Sequence, residues 1–219
     1  MTPQAERNPP VLIIIAGPNG AGKSTLYRNE LQDRYRSVEF VNADELVMRH
    51  YGHTAQTLEE SRTGQRLADE RRAALMAAHQ SLITESTFSH PSKLDLLRQA
   101  RQAGYRVFVY HVNVQSAALS VLRVAYRVAH GGHPVPEEKI RGRYERSQQL
   151  IREAVTLADR AYIFDNSMVG EPHRLALEFR RGSVVHVYSQ SAAWVRSLYA
   201  QELEDLAQSE HASRSKPRG

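Results

Sequence analysis

Residues 11–25 read Val-Leu-Ile-Ile-Ile-Ala-Gly-Pro-Asn-Gly-Ala-Gly-Lys-Ser-Thr. The apolar run at the start is typical of a buried strand. Gly17, Gly20 and Gly22 then allow the positive φ with which successive backbone N–H groups can turn toward one anion. A helix is predicted from about Lys23, with its positive end toward that anion. Strand, glycine loop and helix in this order predict a phosphate-binding loop. The alternative is a glycine turn that binds no ligand.

Two side chains of this loop carry its predicted chemistry. Lys23 is expected to reach the β- and γ-phosphates of a nucleotide, and the Ser24 hydroxyl is the expected Mg²⁺ ligand. ATP and Mg²⁺ are therefore the cofactors that we expect. The predicted nucleotide-binding residues of the loop are Gly17, Pro18, Asn19, Gly20, Ala21, Gly22, Lys23, Ser24 and Thr25.

Composition narrows the class of protein. Of the 219 residues, 41% are hydrophobic and 24% are charged, which is typical of a globular domain of enzyme size. The absence of cysteine excludes disulfides and thiolate chemistry. The net charge of +5 comes mainly from arginines spread along helices, so we expect no nucleic-acid partner. With no signal peptide and no apolar run long enough to span a membrane, we expect a cytoplasmic protein without a membrane partner.

Apolar runs alternate with helical patterns along the chain. Strands are predicted at 38–41, 81–85, 105–114 and 162–164, a hairpin over 176–188, and helices after Pro91, over 116–129 and over 136–158. We predict one domain over residues 1–206 and a disordered tail over 207–219. Strand, crossover helix and strand in succession predict an α/β fold with a mostly parallel sheet and helices on both faces.

A phosphate loop alone does not distinguish kinases from GTPases, motors and transporter ATPases. The Leu-Ser-Gly-Gly-Gln signature of ABC-type subunits and the Asn-Lys-x-Asp signature of GTPases are both missing. The chain instead has acidic residues after its second and third strands and an arginine-rich segment later. This pattern favours a small-molecule kinase.

Asp44 directly follows the second predicted strand, in Val41-Asn42-Ala43-Asp44-Glu45. Phosphoryl transfer needs a carboxylate there to orient and deprotonate the attacking hydroxyl, or to hold Mg²⁺ through water. The alternative is that Asp44 or Asn42 only caps the next helix. Both roles are compatible if Asn42 is the cap, and we predict that Asp44 is catalytic and that both residues lie in the substrate site.

Glu85-Ser86-Thr87-Phe88-Ser89 follows the third predicted strand. A carboxylate and hydroxyls at a strand end can bind the hydroxyls of a sugar, so Glu85, Thr87 and Ser89 are predicted substrate contacts. Simpler alternatives are that Glu85 binds only Mg²⁺-bound water and that Thr87 only caps a helix.

Arginines form a third group. Arg123 and Arg127 lie one helical turn apart, and Arg141, Arg143 and Arg146 follow the Gly131-Gly132 hinge. In a kinase, such groups cover the nucleotide on a mobile lid and stabilise charge on the transferred phosphoryl group. Each arginine taken alone is more often a surface residue, but the cluster favours a lid.

With these residues in place, the chain resembles the zeta toxin family of P-loop kinases over roughly residues 11–167. The resemblance is closest to the compact branch of that family. It rests on the phosphate loop, on Val-Asn-Ala-Asp-Glu-Leu at 41–46, on Thr-Glu-Ser-Thr-Phe-Ser at 84–89, on Gly-Tyr-Arg-Val at 104–107 and on Arg-Val-Ala-His-Gly-Gly-His-Pro-Val-Pro-Glu-Glu-Lys-Ile-Arg-Gly-Arg-Tyr at 127–144.

The resemblance implies a three-layer P-loop kinase fold with a helical lid and ATP-dependent phosphorylation of a UDP-sugar, usually UDP-N-acetylglucosamine at its 3′-hydroxyl. Asp44 matches the family's catalytic base, Glu85 and Thr87 its substrate contacts, and Arg127 an arginine that binds ATP phosphates. The chain departs from the larger toxins at two positions. His133 falls near a second phosphate arginine, which Arg141 or Arg143 would replace, and Ser89 stands where those toxins carry a substrate-binding arginine.

The resemblance also implies a toxin of a toxin–antitoxin pair. No antitoxin domain is fused to the chain, so we expect the antitoxin to be a separate protein. Two alternatives stay open: a kinase of another nucleotide or small metabolite, and a regulatory module that binds ATP without transferring phosphate.

Overall fold

One β-sheet forms the middle of the molecule. The computed structural model describes residues 8–132, 134–188 and 192–214. The strands in these ranges are β1 Val11–Ala16, β2 Glu39–Val41, β3 Leu82–Ser86, β4 Arg106–Asn113, β5 Arg160–Asp165, β6 Arg174–Arg180 and β7 Ser183–Val187. They lie side by side in the order β2-β3-β1-β4-β5-β6-β7. The first five pair in parallel, and β6 and β7 add an antiparallel hairpin at one edge.

The central position of β1 places the glycine loop in the middle of one edge of the sheet. β1 pairs with β3 on one side and β4 on the other, and Ala16 at its end lies opposite Ser86 and His111. Because parallel strands end at the same edge, the residues after β1, β2 and β3 emerge close together. This is where the sequence predicts the reactive side chains.

Helices cover both faces of the sheet. In the described residues they are α1 Lys23–Leu26, continued by a π-helical segment Tyr27–Leu31, then α2 Ala43–Tyr51, α3 Leu58–Ala77, α4 Ser92–Gln102, α5 Ala117–Ala129, α6 Glu137–Leu157, α7 Ala193–Leu198 and α8 Ala200–Arg214. One core joins Leu12 and Ile14 to residues of α3, α4, α6 and α7, and a second core joins Ile13 and Ile15 to Leu26. The predicted α/β fold with a mostly parallel sheet is confirmed.

Side-chain caps explain where two of the helices begin. The Thr57 hydroxyl accepts from Glu60 N at 3.1 Å while the Glu60 carboxylate accepts from Thr57 N at 3.2 Å, so a reciprocal capping box opens α3. The Ser116 hydroxyl accepts from Leu119 N at 3.2 Å and opens α5.

The structure contains two long helices, α3 and α8, that the sequence pattern did not predict. α3 runs for 20 residues, and its Gly64 lets α2 approach, because a Cβ there would lie 2.4 Å from Val47 Cγ2. α8 continues to Arg214, which differs from the predicted disordered tail from 207. The buried carboxylate of Glu202, paired with Arg152 at 2.8 Å, helps to hold α8 on α6. Within the described ranges, no helix is both long and apolar enough to cross a membrane.

Candidate active site

The glycine loop follows β1 and leads into α1 as predicted. Gly17 N donates to Ser86 O at 3.2 Å, which ties the start of the loop to β3. A Cβ on Gly17 would lie 2.0 Å from Val112 O, so only glycine fits against β4 here. Gly22 has φ 95° and is the N-cap residue of α1, a left-handed conformation that favours glycine.

Lys23 folds back over the loop that precedes it. Its Nζ donates to Gly17 O at 3.0 Å and to Pro18 O at 3.1 Å. Burial lowers the pKa of Lys23, and the carboxylates of Glu85 and Asp44 oppose that shift. The Lys23 ammonium group therefore lies close enough to the carboxylates of Glu85 and Asp44 for their charges to affect its pKa.

Ser24 and Glu85 meet across the end of the sheet. The Ser24 hydroxyl donates to Glu85 Oε2 at 3.0 Å. Burial raises the pKa of Glu85, although the positive charge of Lys23 and the Ser24 hydrogen bond both act to lower it. Glu85 therefore lies directly beside the hydroxyl that the sequence nominates as a Mg²⁺ ligand.

Asn42 and Asp44 divide the two roles that the sequence left between them. The Asn42 side-chain oxygen accepts from Asp44 N at 2.8 Å and from Glu45 N at 3.2 Å, so Asn42 caps α2. Asp44 lies in the first turn of α2, and its carboxylate is exposed. The negative charge of Asp44 favours a higher pKa for both Lys23 and Glu85. The side chain of Asp44 is therefore available near the loop, whereas the Asn42 oxygen serves the helix.

A cavity of about 420 Å³ opens beside Glu85, between α3, α4 and the end of β3. Its walls combine the apolar side chains of Ile14, Met76, Phe88 and Leu96 with polar ones. The polar lining residues include Asp69, Arg72, Thr84, Glu85, Lys93 and Asp95. Such a mixture suits a polar metabolite that is held by a few directed hydrogen bonds.

The other predicted substrate residues do not line this cavity. Thr87 Oγ1 and Ser89 Oγ lie 3.3 Å apart and share a hydrogen bond in the turn that follows β3. Asn42 and Asp44 also stand outside the lining. Among the predicted substrate residues, the structure thus brings Glu85 to both the glycine loop and the cavity.

Arg72 on α3 is a cavity residue that sequence reasoning missed. Its guanidinium donates to Thr84 Oγ1 at 3.1 Å and also pairs with Asp69. Thr84 Oγ1 in turn donates to Val41 O at 3.0 Å. This chain of contacts fixes a mostly buried cation in the cavity wall, and the helix that carries it was not predicted.

The structure separates the two arginines that the sequence left as alternatives. Arg143 donates from its guanidinium to the Asn19 side-chain oxygen at 3.3 Å, and so reaches the loop. Arg141 pairs instead with Glu137, one turn earlier on α6, at 2.7 Å. Arg141 is therefore not brought to the loop.

Of the other residues predicted to form a lid, Arg123 and Arg127 lie on α5 and Arg146 lies on α6. Arg123 donates to Met168 O at 3.3 Å, in the segment between β5 and β6. Arg127 is exposed near the end of α5, and its charge lowers the pKa of Lys23. Burial lowers the pKa of Arg143, and the positive charge of Arg146 lowers it further. His133 lies outside the described residues.

Two further residues that the sequence reasoning missed contact the glycine loop. Asn166 Nδ2 donates to Ala21 O at 2.8 Å, and His173 Nε2 donates to Gly22 O at 3.1 Å. A signal was available for the first, because Asp165-Asn166-Ser167 directly follows a predicted strand, as Asn42 and Glu85 do. His173 carries no such signal.

Comparison with known protein families identifies the family of this chain. A family model described as zeta toxin matches residues 1–192. The chain belongs to the zeta toxin family. A relative in Haemophilus influenzae, described only as an uncharacterized protein, is 27% identical over 132 residues, which is 60% of this chain and 91% of that protein.

Solved structures agree on the fold of this zeta toxin family member. The PezAT chromosomal toxin–antitoxin system of Streptococcus pneumoniae contains a chain with TM-score 0.57 and 16% identity, covering 95% of this chain and 88% of that one. A complex of AvrRxo1-ORF1 and AvrRxo1-ORF2 with ATP contains a chain with TM-score 0.63 and 16% identity, covering 88% of this chain. This chain spans only 63% of that one. Family and fold together support a nucleotide-binding protein of the P-loop kinase class.

Proposed function

We propose that this protein transfers the γ-phosphoryl group of ATP to a hydroxyl of a UDP-activated amino sugar, with the 3′-hydroxyl of UDP-N-acetylglucosamine as the foremost acceptor. The observation that carries the proposal is the Ser24–Glu85 hydrogen bond of 3.0 Å, which joins a glycine loop to a cavity of metabolite size. Membership of the zeta toxin family supports the same reaction.

The glycine loop, Lys23, Arg127 and Arg143 form the proposed phosphate site. Backbone N–H groups of residues 17–25 would bind the phosphate chain, and Lys23 would leave its two loop carbonyls to pair with the β- and γ-phosphates. Arg143, whose guanidinium is hydrogen bonded to Asn19 in the loop, would donate charge-assisted hydrogen bonds to the same phosphates. The geometry favours Arg143 over Arg141 as the second arginine.

The residues present fit a Mg²⁺ ion that is shared with ATP. The Ser24 hydroxyl and the Glu85 carboxylate are neighbouring oxygen donors, and Mg²⁺ commonly takes one or two protein oxygens together with substrate phosphates and waters. Among the described residues, no three His, Asp or Glu side chains gather into a metal site of their own, which agrees with an ion that arrives with the nucleotide. When bound, the ion would neutralise charge on the phosphates.

Asp44 is the proposed general base. It would accept the proton of the acceptor hydroxyl while the oxygen forms a bond to the γ-phosphorus and the bond from that phosphorus to the β-phosphate oxygen breaks, releasing ADP. The exposed carboxylate on the first turn of α2 and its electrostatic influence on Lys23 support this role.

The acceptor would occupy the cavity beside Glu85. Glu85 would bind an acceptor hydroxyl from the cavity wall, since carboxylates accept two directed hydrogen bonds from sugars. Thr87 and Ser89 stay proposed contacts at the turn after β3. A separate antitoxin is the proposed protein partner, by analogy with the PezAT toxin–antitoxin system.

Acceptor identity can be tested with a panel of purified compounds. The protein, ATP and Mg²⁺ are incubated separately with UDP-N-acetylglucosamine, other UDP-sugars, free nucleosides and aminoglycosides, and the products are followed by mass spectrometry. The proposal predicts a phosphorylated UDP-N-acetylglucosamine whose phosphate is assigned by NMR to the 3′-position. Failure with every UDP-sugar, together with phosphorylation of another compound, would retain the kinase and overturn the proposed acceptor. ATP binding without any transfer would favour a regulatory module.

A further inference from the structure

The segment between β5 and β6 contacts the glycine loop through two side chains. Asn166 Nδ2 donates to Ala21 O at 2.8 Å, and His173 Nε2 donates to Gly22 O at 3.1 Å. The partners are separated by 145 and 151 positions in the chain. Because a carbonyl oxygen can only accept, the His173 ring must carry its proton on Nε2.

The orientation of these two carbonyl groups fixes the direction of two backbone donors. In a planar trans peptide, the C=O and the following N–H point in opposite directions. When Ala21 C=O points to Asn166, the N–H of Gly22 therefore points away from Asn166. The bond between Gly22 O and His173 orients the N–H of Lys23 in the same manner. Backbone N–H groups at this place in a glycine loop are the ones that bind an anion.

We propose that Asn166 and His173 are positioning residues that hold the glycine loop in its phosphate-binding conformation from behind. The proposal rests on the proposed role of this loop in ATP binding. Neither residue needs to touch the nucleotide. Each acts through a backbone carbonyl, and through it on the N–H of the same peptide group.

Close packing around Gly22 supports this role independently. A Cβ on Gly22 would lie 2.4 Å from Asn166 Nδ2 and 2.9 Å from His173 Nε2, so the two side chains fill the space behind the loop. Gly22 O also accepts from Leu26 N at 2.9 Å, in the first turn of α1. His173 therefore holds the carbonyl at which the loop becomes a helix.

The segment that carries the two residues is itself anchored to the sheet and to α5. Asn166 N donates to Asn113 O at 2.9 Å, which continues the pairing of β5 with β4. Arg123 on α5 donates to Met168 O at 3.3 Å. His173 directly precedes β6. The loop is thus supported by side chains whose own backbone is fixed on both sides.

Matched variants separate this positioning role from general stability. In His173→Gln the side-chain amide nitrogen reaches the place of the imidazole Nε2 and keeps the donor, whereas in His173→Asn it reaches only the place of Nδ1. Asn166→Leu keeps a similar size without a donor. Tyr105→Phe is the control, because it removes a hydrogen bond to a backbone carbonyl, Gln80 O at 2.9 Å, at the opposite end of the sheet.

The first readout is the NMR order parameter of the Gly22 and Lys23 amides in the ligand-free protein, and the second is the Kd for ATP with Mg²⁺. We expect His173→Asn and Asn166→Leu to lower both order parameters and to raise the Kd about tenfold, the factor that one lost hydrogen bond corresponds to. His173→Gln and Tyr105→Phe should stay near wild type in both.

Unchanged order parameters of both amides in His173→Asn and Asn166→Leu would overturn the proposal while leaving the proposed function intact. Lower order parameters with unchanged ATP affinity, equal losses in His173→Gln and His173→Asn, or an equal loss of affinity in Tyr105→Phe would each overturn it as well. A wild-type protein that binds no ATP would instead overturn the proposed function, and with it the role of the two residues in nucleotide binding.

Discussion

The Ser24 hydroxyl donates to the Glu85 carboxylate at 3.0 Å, across 61 positions of the chain. The contact joins the start of α1 to the end of β3, because Glu85 lies in β3 and β3 is a hydrogen-bonded neighbour of β1, the strand that leads into the glycine loop. Glu85 also lines the cavity between α3 and α4. A change in this carboxylate therefore acts on both halves of the proposed site.

Glu85→Gln should stabilise the ligand-free protein at neutral pH while reducing phosphoryl transfer. Burial raises the pKa of Glu85 in the folded state, so the folded protein binds a proton there more readily than the unfolded chain does. Stability is therefore lost as the pH rises above the unfolded value of about 4.3 and through the folded pKa. The neutral amide avoids this loss and can still accept from Ser24.

The free energy of unfolding, measured in urea from pH 4 to pH 8, tests this prediction. The advantage of Glu85→Gln over wild type should grow as the pH rises. Glu39→Gln is the control with the opposite sign, because hydrogen bonding to Arg71 lowers the pKa of Glu39 and stability there is lost as the pH falls. If Glu85→Gln were destabilising at pH 8, the carboxylate would be favourable to the fold.

Asp44→Asn should fold normally and bind ATP, but its turnover rate should fall by a factor of about 10² or more, the usual contribution of a positioned base. The cap of α2 is intact in this variant, because Asn42 supplies it. Asn42→Ala should show the reverse pattern, with a loss of about 1 kcal/mol in stability and a smaller effect on rate per folded molecule. Thermal melts and steady-state rates measured on both variants check this, and a rate for Asp44→Asn near wild type would eliminate it as the base.

Arg143→Ala should weaken ATP binding several-fold, because its guanidinium lies at the loop and hydrogen bonds to phosphate are charge-assisted. Arg141→Ala removes a guanidinium from the same helix and is the matched control, since Arg141 pairs with Glu137 on the exposed side. Calorimetric titration with ATP and Mg²⁺ compares the two. Equal losses in both variants would contradict the assignment of Arg143 to the phosphate site.

Acid should destabilise the protein partly through His111. This residue is completely buried on β4, where it accepts from or donates to Tyr199 at 2.8 Å, and burial lowers its pKa to about 3. The unfolded chain therefore binds a proton at His111 below about pH 6.5, and stability falls as the pH decreases from there toward 3.

His111→Asn keeps a polar atom near the Nδ1 position and removes the titration. Urea unfolding between pH 7.5 and pH 4 should show a shallower loss of stability for this variant than for wild type. His79→Asn, at an exposed position, is the matched control for removal of an imidazole elsewhere in the chain. Parallel slopes for His111→Asn and wild type would show that the ring is not held neutral by the fold.

The part of the site near β1 could be predicted because its signals are local. An apolar run, a glycine loop and Lys23-Ser24 lie within 15 consecutive residues, and Asn42 caps α2 through neighbours only two and three positions away. Local hydrogen bonds and strand burial leave a pattern in the sequence itself. The fold class follows from the same alternation of strands and helices.

The contacts that were missed depend on distant parts of the chain. Arg72 lies on α3, whose many charged residues obscure an apolar face and whose Gly64 argues locally against a helix. Asn166 and His173 reach the loop only because β5 and β6 bring them there. Arg143 and Arg141 lie on the same helix, and only the direction in which each side chain projects from α6 separates them. Tertiary packing decides all of these, so composition and periodicity do not reveal them.

The most direct test of the proposed kinase activity is transfer of the γ-phosphoryl group itself. The protein is incubated with a metabolite extract, Mg²⁺ and ATP carrying ¹⁸O in its γ-phosphoryl group, and the products are read by mass spectrometry, with Lys23→Ala as the matched control. We expect a small metabolite to gain one labelled phosphoryl group with wild type and not to gain it with Lys23→Ala. Labelled inorganic phosphate as the sole product of wild type, or the same phosphorylated product in equal yield from Lys23→Ala, would contradict it.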